Sequence, residues 1–416
     1  MNPENGKSPL LGSTQPVAVL AALVMAGQLI ACAPRQTGVD QIPNANVSVT
    51  AAKDAGVPGL PAEVDQLVNG FIPNVSTPLG CAVGVMENNQ LSGLEGYGWA
   101  GFQKNNPAQK RPMTTSTPSE VGSISKTWTA LAILRLQEMN YLDIDDKISV
   151  HLADLPQAWQ NFTLRQLLSH GTGLAWNPTF NPTLNDTNEL NQFYNVNPAN
   201  PFLGIHPRLV YPAYLGTPIS AFPQGFTAAY SNTGFLLLGA VIDKIATENA
   251  AQLGSKYASY ESFVWRYVGV FDGTLSNADQ MLTPGLYEGW RLNDIPDLAT
   301  GFAWDAMQQQ YVELGASNDS LLLSGPAGWE GPAGGWTMTI GDLTRLMMAI
   351  QNNDVITQTT RDDEMLVEHG KATVGTLGLG VFLDPQLGRP TYSHAGAIRV
   401  TGRITSCGPR RISVSR

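Results

Sequence analysis

The stretch from Asn177 to Pro201 holds eight Asn and four Pro in 25 residues, so it is neither a regular helix nor a central strand. A loop of that length inside a compact protein is usually functional or disordered, and we expect a lid or pocket rim here. Regular elements are expected on both sides of it. Pro61-Ala62-Glu63-Val64 opens a short helix, with Pro at its first position and an acid in its first turn. Gly80 to Trp99 reads as a β-hairpin that turns at Glu87-Asn88-Asn89-Gln90. A helix begins near Ser123, with a broad apolar face from Ile124, Trp128, Leu131, Ala132 and Ile133 to Leu136, and Asn140 as its stop. Thr163-Leu164-Arg165-Gln166 is a capping-box pattern ahead of a helix from Leu164 to Ser169. Another helix follows Asn232 and runs to about Thr247, and Thr339-Ile340-Gly341-Asp342 starts one more ahead of Leu343 to Gln351. No internal repeat is evident.

At 416 residues the chain holds one large domain or two interlocked ones, and 43% hydrophobic residues suffice for a sizeable core. A net charge of −10 argues against a nucleic-acid partner, which needs a basic face. With three Cys and five His there is no CxxC or HExxH pattern, so a zinc enzyme is not expected. Cys81 lies in an apolar, strand-like run and reads as a small core residue. No structural disulfide is expected.

Pro16 to Ile30 is apolar apart from Gly27 and Gln28, which suits the core of a signal peptide and is short for a bilayer span. It ends in Leu29-Ile30-Ala31-Cys32, a sequence that resembles the bacterial lipobox. Residues 1–31 are therefore expected to be a lipoprotein signal peptide, with Cys32 acylated as the mature N-terminus. Residues 32–60, rich in small, polar, Pro and Gly residues, read as a flexible tether. The implied location is the bacterial envelope, exported and held to a membrane by acyl chains on Cys32.

Three short patterns carry chemistry. In Ser123-Ile124-Ser125-Lys126 the Ser and Lys, three apart at a helix start, share one face. A serine hydroxyl needs a base to become a nucleophile, and a lysine serves if burial and nearby cations lower its pKa. The helix N-terminus adds N–H groups beside a developing oxyanion. Tyr230-Ser231-Asn232 again precedes a helix. A phenol ordinarily titrates at about pH 10, so a tyrosinate shuttle at Tyr230 requires the Lys126 charge to favour the ionised form. Asn232 has the hydrogen-bonding groups to meet substrate and Lys126 together, although by itself it reads as a routine helix N-cap. His394-Ala395-Gly396 lies in a strand-like context, where a Gly permits close approach of another backbone or a ligand.

Tyr230 follows Ser123 by 107 positions and His394 follows Tyr230 by 164. That order and spacing of SxxK, YxN and HxG resembles the serine β-lactamase and penicillin-binding superfamily, in the branch of class C β-lactamases, D,D-peptidases and related esterases. The segments Glu120 to Ala130, Leu142 to Ile148, Thr163 to Leu174, Tyr230 to Gly239, Leu298 to Phe302, Pro332 to Gly335 and Gly378 to Gly380 look like blocks of that family. The resemblance covers about residues 62–397. It implies Ser123 as the acylated nucleophile, Lys126 and Tyr230 sharing base and acid work, and Asn232 orienting substrate. The N–H groups of Ser123 and Ala397, beside Gly396, would form the oxyanion hole. His394 stands where β-lactamases usually carry Lys, which makes an esterase or D-amino-acid peptidase a better expectation than a β-lactamase. His170-Gly171-Thr172-Gly173 departs from the usual His-Thr-Ser-Gly.

The implied fold is α/β: an antiparallel sheet flanked by helices plus an all-helical lobe, with the site between them. The sheet lobe is expected from 61–145 and 300–416 and the helical lobe from 146–299, within a hydrolase domain of 61–416. The implied activity is hydrolysis of an ester or amide, in a small molecule or peptide, through an acyl-enzyme without metal or organic cofactor. A catalytically silent ligand-binding or envelope protein on the same scaffold is the alternative. After Ala397 the resemblance stops, and five of the last 18 residues are Arg. Residues 399–416 are therefore expected to be an aberrant, out-of-frame tail. The fold would then be truncated, leaving the strand of His394 with an unpaired edge.

Overall fold

A computed structural model describes residues 18–23, 59–71, 80–103, 106–179, 206–269, 299, 301–305, 310–314, 331–384, 391–396 and 410–415. Its main sheet is antiparallel and draws on both ends of the sequence. In chain order its strands are β1 (Ala18–Leu23), β2 (Gly80–Glu87), β3 (Gln90–Gln103), β4 (Asn106–Pro112), and then, after two small sheets, β9 (Gly370–Ala372), β10 (Gly375–Leu377), β11 (Phe382–Asp384), β12 (Thr391–Gly396) and β13 (Arg410–Ser415). They lie side by side as β4-β3-β2-β1-β13-β12-β11-β10-β9. The small sheets pair β5 (Ser119–Glu120) with β8 (Thr337–Met338), and β6 (Gly301–Asp305) with β7 (Gln310–Leu314). The expected hairpin is β2–β3. Asn88 and Asn89 make its turn, both with φ in the left-handed region that a two-residue turn demands and that Asn tolerates.

Two of these strands fall where no strand was expected. Arg410–Ser415, in the tail expected to be aberrant, pairs along the whole of β12, with His394 opposite Ile412. The strand of His394 therefore has neighbours on both edges, and the expected open edge is corrected. Ile412 and Val414 alternate with Ser413 and Ser415, the period a strand needs. Ala18–Leu23, in the expected signal peptide, forms β1 between β2 and β13. A chain cut before Cys32 has no β1, so this strand belongs to the uncleaved protein. Cys32 and the tether up to residue 58 lie outside the described residues, as does most of the Asn- and Pro-rich stretch.

The Ser125–Glu138 helix runs through the core. Eleven of its 14 residues are buried, because its sequence is apolar round most of the circumference. It ends as expected at Asn140, whose positive φ lets the Tyr141 N–H reach back to the Leu136 carbonyl. Between residues 148 and 269 the described elements are helices, joined by single bridges at Lys147–Thr163 and Leu174–Ile219. The longest is Asn232–Glu248, which packs on the Ser125–Glu138 helix. The helix Leu164–Leu168 opens with the capping box read from sequence, Thr163 with Gln166, and Ile340–Asn352, whose start was read at Thr339, opens with another, Thr339 with Asp342. The Ile340–Asn352 helix lies against β2 and β3. Trp128 and Trp336, both fully buried, stack with centroids 5.2 Å apart and tie the central helix to the residues before β8. Among the described residues no helix is long and apolar enough to cross a membrane.

Candidate active site

Three unrelated segments meet at the start of the Ser125–Glu138 helix. Gly122–Ile124 forms a 3-10 turn that leads into it, with Gly122 at φ 55°. Ser123 lies on this turn and Lys126 one turn further on. Ser125 braces the bend: its hydroxyl donates to the Gly122 carbonyl at 2.6 Å and accepts the Trp336 N–H at 3.1 Å. The middle Ser of the motif is thus a structural fastener. Sequence reasoning passed over it, since a lone Ser gives no signal of its partners.

Lys126 is wholly buried. Its Nζ lies 3.1 Å from Ser123 Oγ, 2.7 Å from Asn232 Oδ1 and 2.5 Å from the Ala333 carbonyl. All three are neutral, and among the described residues no carboxylate pairs with it. Burial without a counter-charge pushes its pKa well below the ordinary lysine value. A neutral amine has two N–H groups and one lone pair. The two carbonyl oxygens take the N–H groups, which leaves the lone pair for the Ser123 hydroxyl. Ala333 had no mark in the sequence beyond its place in a family-like block. It is brought in by Pro332, which packs on the Asn232–Glu248 helix at Gly239, where a β-carbon would collide with the proline ring.

Tyr230 and Asn232 come from the lead-in to that helix. The expectation of Asn232 as N-cap is corrected: Ser231 caps the helix by accepting the Gly234 N–H at 3.2 Å. Asn232 is thereby left to face Lys126 with its Oδ1, while its Nδ2 donates to Asn177 Oδ1 at 2.8 Å. The Tyr230 ring lies 4.9 Å from Lys126 Nζ, with the Ser123 side chain close enough to act on its hydroxyl. Burial drives the phenol pKa upward, and Ser123 offsets this only in part. Burial thus favours the neutral phenol over the tyrosinate. The Lys126 that was to stabilise it is itself held towards neutrality.

His394 is buried on β12 with Nδ1–H donating to the Ala395 carbonyl at 2.7 Å. Burial, with the nearby Lys126, lowers its pKa to about 3, so it is neutral at pH 7. The role of Gly396 is steric. A β-carbon there would strike the Val121 carbonyl, so glycine lets β12 lie against the segment that leads into Ser123. Ala397 lies outside the described residues. Phe382 on β11 bridges the walls, 5.0 Å from His394 and 6.3 Å from Tyr230 between ring centroids. Trp176, 55% exposed, packs on Tyr230 at 4.8 Å on the solvent side. Neither aromatic carried a sequence signal, because their neighbours are remote in the chain.

The sequence matches the family described as Beta-lactamase over residues 76–408. Penicillin-binding protein 4* of Bacillus subtilis (strain 168) is 25% identical over 295 residues, 69% of this chain and 57% of that protein. Protein flp of Staphylococcus aureus (strain MW2) is 24% identical over 194 residues, 46% of this chain and 34% of its own. The chain thus spans less than two thirds of either relative. Among solved structures, the octameric penicillin-binding protein homologue from Pyrococcus abyssi superposes with a TM-score of 0.54 at 18% identity, over 82% of this chain and 68% of that one. The D-amino acid amidase from Ochrobactrum anthropi SV3 complexed with L-phenylalanine gives 0.52 at 20% identity, over 80% and 81%. At these identities the structural likenesses bear on the fold alone. The match to the family runs over most of the sequence and takes in Ser123, Lys126, Tyr230, Asn232 and His394: this protein belongs to the beta-lactamase family.

Proposed function

We propose that the protein hydrolyses an ester or amide through an acyl-enzyme on Ser123. The observation that carries this reading is the buried Lys126 amine, 3.1 Å from Ser123 Oγ and without a counter-charge among the described residues. A structural lysine would be expected to keep its charge and find a carboxylate. This one is desolvated towards the neutral form that can accept a proton.

In the proposed reaction Ser123 Oγ attacks the substrate carbonyl carbon as its proton passes to Lys126 Nζ. The carbonyl π electrons move to oxygen, where the N–H groups of Ser123 and Ala397 are assigned to receive them. Tyr230, kept towards the neutral phenol by burial, gives its proton to the leaving alcohol or amine and is reprotonated from Lys126. The C–O or C–N bond then breaks and the acyl-enzyme remains. Water attacks it next, with the same groups returning the proton to Ser123. Asn232 fixes Lys126 through Oδ1 and is assigned to orient substrate. Neutral His394 offers no charge to a substrate carboxylate, which favours esters and neutral amides over carboxylate-bearing β-lactams.

The lipobox-like text at Cys32 supports a further part of the proposal, that the protein is exported and anchored in the bacterial envelope. The test of activity is a panel of a short-chain p-nitrophenyl ester, a D-Ala-D-Ala peptide and nitrocefin, run beside a fluorophosphonate probe. Turnover of the ester with probe on Ser123 supports the reading. A folded sample that neither labels nor turns over any of the three is instead the silent binding protein.

A further inference from the structure

We propose that His170 is a positioning residue for Tyr230, fixing the backbone on both sides of the phenol while its ring backs the phenol face. The inference rests on the acyl-enzyme reading above, in which Tyr230 moves a proton. His170 closes the turn after the Leu164–Leu168 helix with φ 59°, a region uncommon for a residue with a β-carbon. Gly takes that conformation most readily, and Asn, Asp and His are the side chains enriched there, so what sets His170 apart is what it touches.

Its carbonyl accepts the Ala229 N–H at 3.0 Å, and its Nδ1 accepts the Ser231 N–H at 3.0 Å. These are the amide groups of the two residues that flank Tyr230. Its ring stacks on the Tyr230 ring, with centroids 4.4 Å apart and planes 30° apart, and meets Phe235 behind at 5.1 Å. Of the rings around Tyr230, Trp176 and Phe382 touch its side chain, whereas His170 also holds its main chain. To accept from Ser231, Nδ1 must be unprotonated, so the proton resides on Nε2. Burial holds the ring in that neutral state. A protonated ring would turn an N–H towards the Ser231 N–H and release the residue that follows the phenol. A phenylalanine fills the same space and stacks, but it cannot accept that bond.

The test uses the full chain and p-nitrophenyl acetate. His170→Gly and His170→Asn both tolerate the left-handed backbone. Each is made in the wild type and in Tyr230→Phe, with thermal unfolding as the fold control. His170→Gly is expected to lower kcat by about 10²-fold, the cost of a misplaced reacting group, with KM within about threefold. His170→Asn, which keeps a side-chain acceptor, is expected to recover part of the loss. In the Tyr230→Phe background the glycine substitution is expected to change kcat by less than about threefold, because the group being positioned is already gone. Wild-type kcat in His170→Gly overturns the proposal, and so does an equal fold-loss in both backgrounds. If both variants unfold, nitrogen-15 NMR of the wild-type histidines decides. One ring with an unprotonated, hydrogen-bonded Nδ1 that does not titrate between pH 8 and 5 supports the proposal. Ordinary titration of His170 near its usual pKa of about 6.5 overturns it. Ester turnover surviving in Ser123→Ala sinks the acyl-enzyme reading itself. A dead Ser123→Ala beside a full-rate His170→Gly sinks only this inference.

Discussion

Lys126 Nζ stands 3.1 Å from Ser123 Oγ across a single helical turn, inside a helix buried on nearly every side. Because burial lowers the lysine pKa, the base form gains population as pH rises through that lowered value, and activity is expected to rise with it. Lys126→Met removes the acceptor but keeps an unbranched, apolar side chain. It is expected to lower kcat/KM for a p-nitrophenyl ester by at least about 10²-fold and to abolish the acid limb of the pH–rate profile. An unchanged limb in the variant would assign it to another group.

Tyr230→Phe keeps the ring packed among His170, Trp176 and Phe382 and deletes only the hydroxyl. Turnover is expected to fall by about 10²–10⁴-fold, the range for acid–base groups, with little change in melting temperature. Steady-state kinetics at matched pH check this, and wild-type rates would remove Tyr230 from the reaction.

Stability should depend on pH through the two buried, neutral histidines. Both His170 and His394 have folded-state pKa values depressed below the ordinary value by burial. Below about pH 6.5 the unfolded chain takes up protons that the native rings refuse. Stability from each is therefore complete above that pH and drains away as pH falls towards the folded values, at about 1.4 kcal/mol per pH unit for each histidine. Denaturant unfolding at pH 7, 6 and 5 is expected to show a progressive loss. His394→Gln is expected to flatten the slope by about half, and an equal slope in the variant would show that His394 takes up its proton in the native state.

Much of the site was legible because its chemistry is local: Ser123 and Lys126 share a helix turn, and Tyr230 and Asn232 flank a helix cap. The same holds for the capping box at Thr163, for the helix start at Thr339 and for the Asn88–Asn89 turn, each set by residues within a few positions. What stayed hidden is set by contacts across the fold. The Ala333 carbonyl reaches Lys126 from 207 residues away, and Ser125 meets Trp336 from 211. His170 showed in the sequence only as part of a turn, since its acceptor role depends on Ser231, 61 positions on. The ionisation of Tyr230 depends on burial, which no short pattern records. Strand neighbours such as β13 beside β12 belong to the same class, since sheet order is a property of the whole chain.

Export is tested at Cys32. Cys32→Ser is expected to move the protein from the membrane to the soluble fraction or to leave it unprocessed, since stable anchoring takes more than one acyl chain on that residue. Fractionation like the wild type would contradict the lipobox reading. N-terminal sequencing of the same samples bears on β1 as well, because a mature chain that starts at Cys32 has lost Ala18–Leu23 from between β2 and β13.

The most direct measurement is hydrolysis of a p-nitrophenyl ester by Ser123→Ala, with intact-mass detection of a fluorophosphonate adduct in both proteins. The substitution removes one oxygen from a half-buried position, so the fold should survive. The account predicts one adduct in the wild type, mapped to Ser123, none in the variant, and hydrolysis abolished in the variant. An adduct on the variant, or hydrolysis above about a tenth of the wild-type rate, would mean that another nucleophile does the work and would contradict the account.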